Sequence, residues 1–104
     1  MYDQTRKDLV QMIDLLENDG SRWSQFFKKA LGSFDSGDYH RCAETILSGS
    51  GGMGSLNDLI LGQTTDLNGK FKWKPNHEEI NNKYQELLSS LYAFSLGMRR
   101  AANK

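Results

Sequence analysis

Apolar residues recur at three- and four-residue spacing through most of this chain, the period of a helix with one buried face. Leu9, Ile13 and Leu16, joined by Val10 and Met12, predict a first helix over residues 3–18, which Asn18-Asp19-Gly20 ends with turn chemistry. Ser21 stands where it can cap a second helix carrying Trp23, Phe26, Phe27, Ala30, Leu31 and Phe34, with Ser36-Gly37 as its stop. Asp38 can cap a third, with Tyr39, Cys42, Ala43, Ile46 and Leu47 on its apolar side and Ser48-Gly49 at its end. Connections this short make consecutive helices antiparallel neighbours.

The pattern then changes twice. Residues 49–54 hold four glycines in six positions, and glycine clusters where the backbone needs a tight turn or a close approach. Ser55 can cap a short helix through Leu56, Leu59 and Ile60, although Leu59-Ile60-Leu61 also reads as a strand end. In residues 62–75, Asn68-Gly69 signals a hairpin, and Lys70-Phe71-Lys72-Trp73-Lys74 alternates with period two. That alternation places Phe71 and Trp73 on one face and the three lysines on the other. Pro75 ends the segment, and Asn76 with Glu79 forms a capping-box-like start to the longest helix, near 77–101. Its apolar face is Ile80, Tyr84, Leu87, Leu88, Leu91, Phe94 and Met98, while Arg99 and Arg100 suit the negative end of the helix dipole. The expected architecture is mainly α: a compact bundle of four to five helices in a single domain, 1–104, with a short extended arm or β-hairpin near 62–75.

Composition narrows the function classes. A chain of 104 residues can bury a core without disulfide or metal staples. Thirteen basic and thirteen acidic residues give a net charge of zero, which supplies no overall pull toward nucleic acid or an anionic membrane. The two halves differ little, with six basic and eight acidic residues before position 55 and seven and five after it. The single cysteine, Cys42, forms no internal disulfide framework, and the polar opening Met-Tyr-Asp-Gln-Thr-Arg has no signal-peptide core. A cytoplasmic location and no membrane span are the expectations.

The candidate chemistry is thin. Gly49, Gly51 and Gly54 have the spacing of a dinucleotide fingerprint, but that fingerprint follows a strand in a βαβ unit and here a helix precedes it. The same glycines have phosphate-loop spacing, but Ser55-Leu56 replaces the lysine and hydroxyl residue that would reach phosphate and magnesium. The loop reads as a structural turn that positions Met53 and the following segment. His40, Cys42 and His77 match no zinc spacing, and residues two apart on a helix face away from each other. Cys42 lies between Tyr39 and Ile46 on an apolar face and reads as a small buried hydrophobe. Asp35 and Asp38 read as helix-end residues, and Glu44 has no acid-base partner in a recognisable pattern. Neither a catalytic, a cofactor nor a metal site is expected, nor a small-molecule substrate.

Lysines interleaved with aromatics suit nucleic-acid stacking or an acidic protein. The expectation for Phe71 and Trp73 is packing on the helical core, with solvated lysines opposite. Asn57 and Asp58, after the glycine loop, are further polar candidates. Their local reading is a side-chain tie to the loop for Asn57 and a favourable first-turn carboxylate for Asp58.

The stretch Gly51-Gly52-Met53-Gly54-Ser55-Leu56-Asn57-Asp58-Leu59-Ile60-Leu61, preceded by a helix ending in Ile46-Leu47 and by the Trp23 segment, resembles a family of small bacterial proteins of unknown function. Those proteins carry a GGMGSxNDLxL core, and the likeness covers residues 8–61 well. By association with other small solitary bacterial proteins, the resemblance implies an immunity protein that binds and neutralises a cognate secreted toxin. Its contact residues would be Lys70, Lys72, Trp73 and Lys74, with Asn57 and Asp58. The alternatives are an anion or nucleotide site, catalytic or not, at Gly49–Asp58, and a nucleic-acid regulator using the Lys70–Lys74 arm.

Overall fold

The computed structural model describes residues 2–49 and 56–102. Four helices form at the predicted places: α1 (Asp3–Asn18), α2 (Trp23–Asp35), α3 (Tyr39–Ser48) and α4 (His77–Ala102). Consecutive helices pack together, and α4 closes the ring against α1. At 1.5 Å per residue, α4 is about 39 Å long and α3 about 15 Å, so α4 runs well past its shortest neighbour.

Helix ends follow the local chemistry. The Asp38 carboxylate accepts from the Arg41 amide at 3.0 Å at the start of α3, and the Ser21 hydroxyl accepts from the Trp23 amide at 3.2 Å at the start of α2. Asn76 stands at the N-cap position of α4, where its carbonyl accepts from the Ile80 amide. The short helix expected after Ser55 is reduced to a 3-10 turn, Leu56–Asp58, and Leu59-Ile60-Leu61 runs on without regular structure. Ser55 itself lies outside the described residues.

The core draws on the predicted stripes, although Val10, Leu47 and Met98 are half-buried and stand outside it. Leu9, Met12, Ile13 and Leu16 of α1 meet Phe27, Ala30 and Phe34 of α2, Cys42 and Ile46 of α3, and Tyr84, Leu87, Leu88 and Leu91 of α4. Leu56 and Leu61, at the two ends of one short connection, are also buried in it. Burial pushes the Cys42 thiol up to about 11, as expected for a small hydrophobe rather than a nucleophile. At one end, Tyr2 joins an aromatic cluster, its ring centroid 4.9 Å from Tyr39 and 5.4 Å from Phe94. Paired charges tie the outside: Arg6 to Asp35 at 2.8 Å between α1 and α2, and Arg99 to Glu44 at 2.9 Å between α4 and α3. Arg99 therefore does more than complement the helix dipole.

Between the 3-10 turn and α4 lies an antiparallel hairpin, β1 (Gln63–Thr65) and β2 (Phe71–Trp73), paired Gln63 to Trp73, Thr64 to Lys72 and Thr65 to Phe71. All six strand residues are exposed, so the hairpin projects from the bundle. The molecule measures 55 × 26 × 20 Å, with a radius of gyration of 14.9 Å against about 13 Å for an average domain of this length.

Candidate functional site

The projecting arm is built from its turn outward. The Gly69 amide donates to the Asp66 carbonyl at 3.0 Å, and Gly69 has φ +79°. This is a type I turn through Leu67 and Asn68 followed by a left-handed glycine, the three-residue hairpin loop whose twist suits the flanking strands. The Asp66 carboxylate accepts from the Asn68 and Lys70 amides at 2.8 and 2.9 Å, locking the turn. Asn68-Gly69 thus marks the turn as expected, but Asn68 keeps a negative φ and glycine alone takes the left-handed position.

Phe71 and Trp73 depart from the sequence expectation. They do not pack on the core: Phe71 is 59% and Trp73 40% exposed, and Leu67 at the tip is fully exposed. Instead the rings pack on each other. Phe71 meets Trp73 edge to face at 5.0 Å, and Trp73 stacks on His77, the first residue of α4, at 4.7 Å and 26°. The reason is topological, since the strands extend away from the helices and Trp73 meets them at His77, outside the core. Lys70 and Lys72 are exposed, as expected for that face. Lys74 is not free: its ammonium lies 3.1 Å from the Asp19 carboxylate, and 31% of its side chain is exposed.

Three polar side chains of the bundle hold the segment that carries the arm. The Tyr84 hydroxyl donates to the Leu56 carbonyl at 2.7 Å in the core, where burial, and then the neighbouring Tyr92, raise its pKa. Asn81 accepts from the Leu61 amide and donates to the Leu61 carbonyl, both at 2.8 Å, and donates to the His77 carbonyl as well. Asp19 accepts from the Gly62 amide at 2.9 Å with the oxygen that also pairs with Lys74. Sequence reasoning missed Asn81 and read Asp19 only as turn chemistry. A polar residue on a helix face carries no local mark of a partner twenty or more positions away.

Asn57 and Asp58 are exposed on the 3-10 turn. An open depression on the arm is lined by Thr65, Asp66, Leu67, Asn68 and Lys72, and of the six candidate residues it takes in Lys72 alone. At the glycine loop, the Leu56 amide donates to the Gly49 carbonyl at 3.0 Å, closing its two ends. A Cβ at Gly49 would lie 2.7 Å from Leu56 Cδ1 and 2.9 Å from Phe26 Cζ, so close approach explains this glycine. Gly51, Gly52, Met53, Gly54 and Ser55 lie outside the described residues. Among the described residues the sheet is the two-stranded hairpin, which follows the glycine loop rather than leading into it. There, too, no three His, Cys, Asp or Glu side chains converge to hold a metal, and no helix is long and apolar enough to cross a membrane.

Residues 16–67, half of the chain, match the family described as a domain of unknown function, DUF6966, and the chain belongs to that family. The matched stretch runs from the end of α1 to the tip of the hairpin. No curated protein and no solved structure matches the chain.

Proposed function

We propose that this DUF6966 member is a non-enzymatic binding protein, an immunity protein that neutralises a cognate secreted toxin in the bacterial cytoplasm by occupying its active or substrate site with the hairpin arm. The supporting observation is the arm itself: Phe71 and Trp73 stand exposed beside Lys70 and Lys72 on a hairpin that projects from the bundle. A protein with no use for these rings outside itself would gain by burying them. Tryptophan is enriched among residues that dominate binding energy, and Lys70 and Lys72, whose ammonium groups have no acidic partner among the described residues, suit an acidic cleft. The polar ties of Asp19 and Asn81 hold the base of the arm, which limits the ordering cost of docking. Asn57 and Asp58 form a secondary contact region, and Lys74 acts through the arm's position rather than by direct contact.

The test is capture of the partner by the tagged protein from its native cells at moderate salt, followed by co-expression. One stoichiometric protein, toxic alone and harmless beside this chain, is the expected result. Capture of nucleic acid that is released steeply with salt would instead favour the regulator reading, and a thermal shift with nucleotide or phosphate would favour a ligand site at the glycine loop.

A further inference from the structure

The hairpin has two open edges, and the ladder shows what each presents. The Lys74 amide donates to the Gly62 carbonyl at 2.8 Å, and the Asp66 amide to the Lys70 carbonyl at 2.9 Å. Hydrogen-bonded pairs alternate with non-bonded ones along an antiparallel ladder. Gly62 with Lys74, Thr64 with Lys72 and Asp66 with Lys70 are therefore the inward-bonding pairs. Phe71 and Trp73 on β2, and Gln63 and Thr65 on β1, turn their amides and carbonyls outward, and among the described residues no hydrogen bond from outside the ladder reaches them. Such an edge is a template for another strand.

We propose that the partner adds an edge strand to the outer side of β2, and that this strand alternates apolar residues with carboxylates. The inference rests on the protein-binding reading above. Residues directly opposite in a sheet share a face. Positions opposite Phe71 and Trp73 thus meet exposed rings, and the position opposite Lys72, with Lys70 next along that face, meets ammonium groups. Valine, isoleucine or leucine fits the first and aspartate or glutamate the second. A second copy fits this edge poorly: pairing β2 with β2 sets Phe71 and Trp73 against their like, which places lysine opposite lysine on the other face. The β1 edge is Gln63-Thr64-Thr65, with neither charge nor exposed rings to select a partner. Main-chain bonds on β2 supply affinity, and the alternating side chains supply selectivity.

The probe is a ten-residue peptide of alternating valine and glutamate, added at neutral pH to the full chain labelled with nitrogen-15. Expected are shifts and slowed exchange at the Phe71 and Trp73 amides with Gln63 and Thr65 unchanged, loss of both with a peptide N-methylated at alternate residues, and no binding of the valine-lysine peptide. Lys72→Glu should weaken the valine-glutamate peptide about tenfold and admit the valine-lysine one. Unchanged Phe71 and Trp73 amides at millimolar peptide, indifference to N-methylation, protection at β1 instead, or concentration-dependent shifts from self-association would each overturn the proposal. The two readings separate cleanly. Toxin protection without peptide addition leaves the immunity reading standing and removes strand addition, and peptide addition without toxin protection does the reverse.

Discussion

Asn81 grips the Leu61 peptide backbone at both ends, its side-chain oxygen accepting from the Leu61 amide and its nitrogen donating to the Leu61 carbonyl, each at 2.8 Å. One helical side chain thus does for an irregular segment what a neighbouring strand would do. Leu61 is 1% exposed, so water does not readily replace these bonds. Asn81→Ala should cost about 2–3 kcal/mol, because it strands a buried donor and acceptor together. Thermal melting should show a Tm fall on the order of 10 °C, and a fall of a degree or two would mean that the segment rearranges without penalty.

The Asp19 carboxylate has two partners of unequal worth. Lys74 is partly solvated, and its loss in Lys74→Met should cost under about 1 kcal/mol. Asp19→Ala also orphans the buried Gly62 amide and should cost about 1–3 kcal/mol. Denaturant titration of both variants checks the order, and equal losses would show the ion pair to be the main term.

Gly62 and Gly69 share a left-handed backbone, with φ +82° and +79°, but not their surroundings. A Cβ at Gly69 meets open space, whereas at Gly62 it would lie 2.6 Å from His77 Cβ and 2.9 Å from His77 Cα. Gly69→Ala should cost about 1–2 kcal/mol, the strain of the conformation alone. Gly62→Ala should cost clearly more, since α4 backbone stands in the way. Similar melting temperatures for the two variants would contradict this.

Phe71→Ala and Trp73→Ala should each cost about 0.5–1.5 kcal/mol, Trp73 the more because its ring also stacks on His77, while the helical core keeps the fold intact. Capture of the protein partner should fall at least about tenfold in each variant. Retained capture would move the binding surface elsewhere, with Asn57 and Asp58 next to be substituted.

Alkaline pH should destabilise the fold through Cys42. Burial raises its thiol from 9.0 to about 11 in the folded chain, so the unfolded chain releases its proton first. Stability is complete below the unfolded value and is lost as pH rises from about 9 toward 11, and Tyr84, raised by burial, acts in the same direction at higher pH. Cys42→Ala should flatten the first part of that decline, as read from denaturation midpoints across pH. At the acid end, Asp35 and Glu44 are held below the ordinary carboxylate range by hydrogen bonds from Arg6 and Arg99. Depressed carboxylates contribute above their unfolded pKa and lose that contribution as pH falls through the folded one; because both are exposed, the effect should be small and should shrink with salt.

The sequence by itself determined the helices and their buried faces. Helical periodicity is local, and capping by Ser21 and Asp38 acts across two or three residues, so both can be read within a short window. The turn at Asp66–Gly69 was legible for the same reason. Only the tertiary structure decided where Phe71 and Trp73 stand, since alternation tells that two rings share a face and not what that face meets. It also decided that Lys74 turns to Asp19, 55 positions away, and that Asn81 holds Leu61, 20 positions away. Those partners are brought together by the packing of α1 and α4 around the core, and their bonds run through space between residues that have no local relation in the chain.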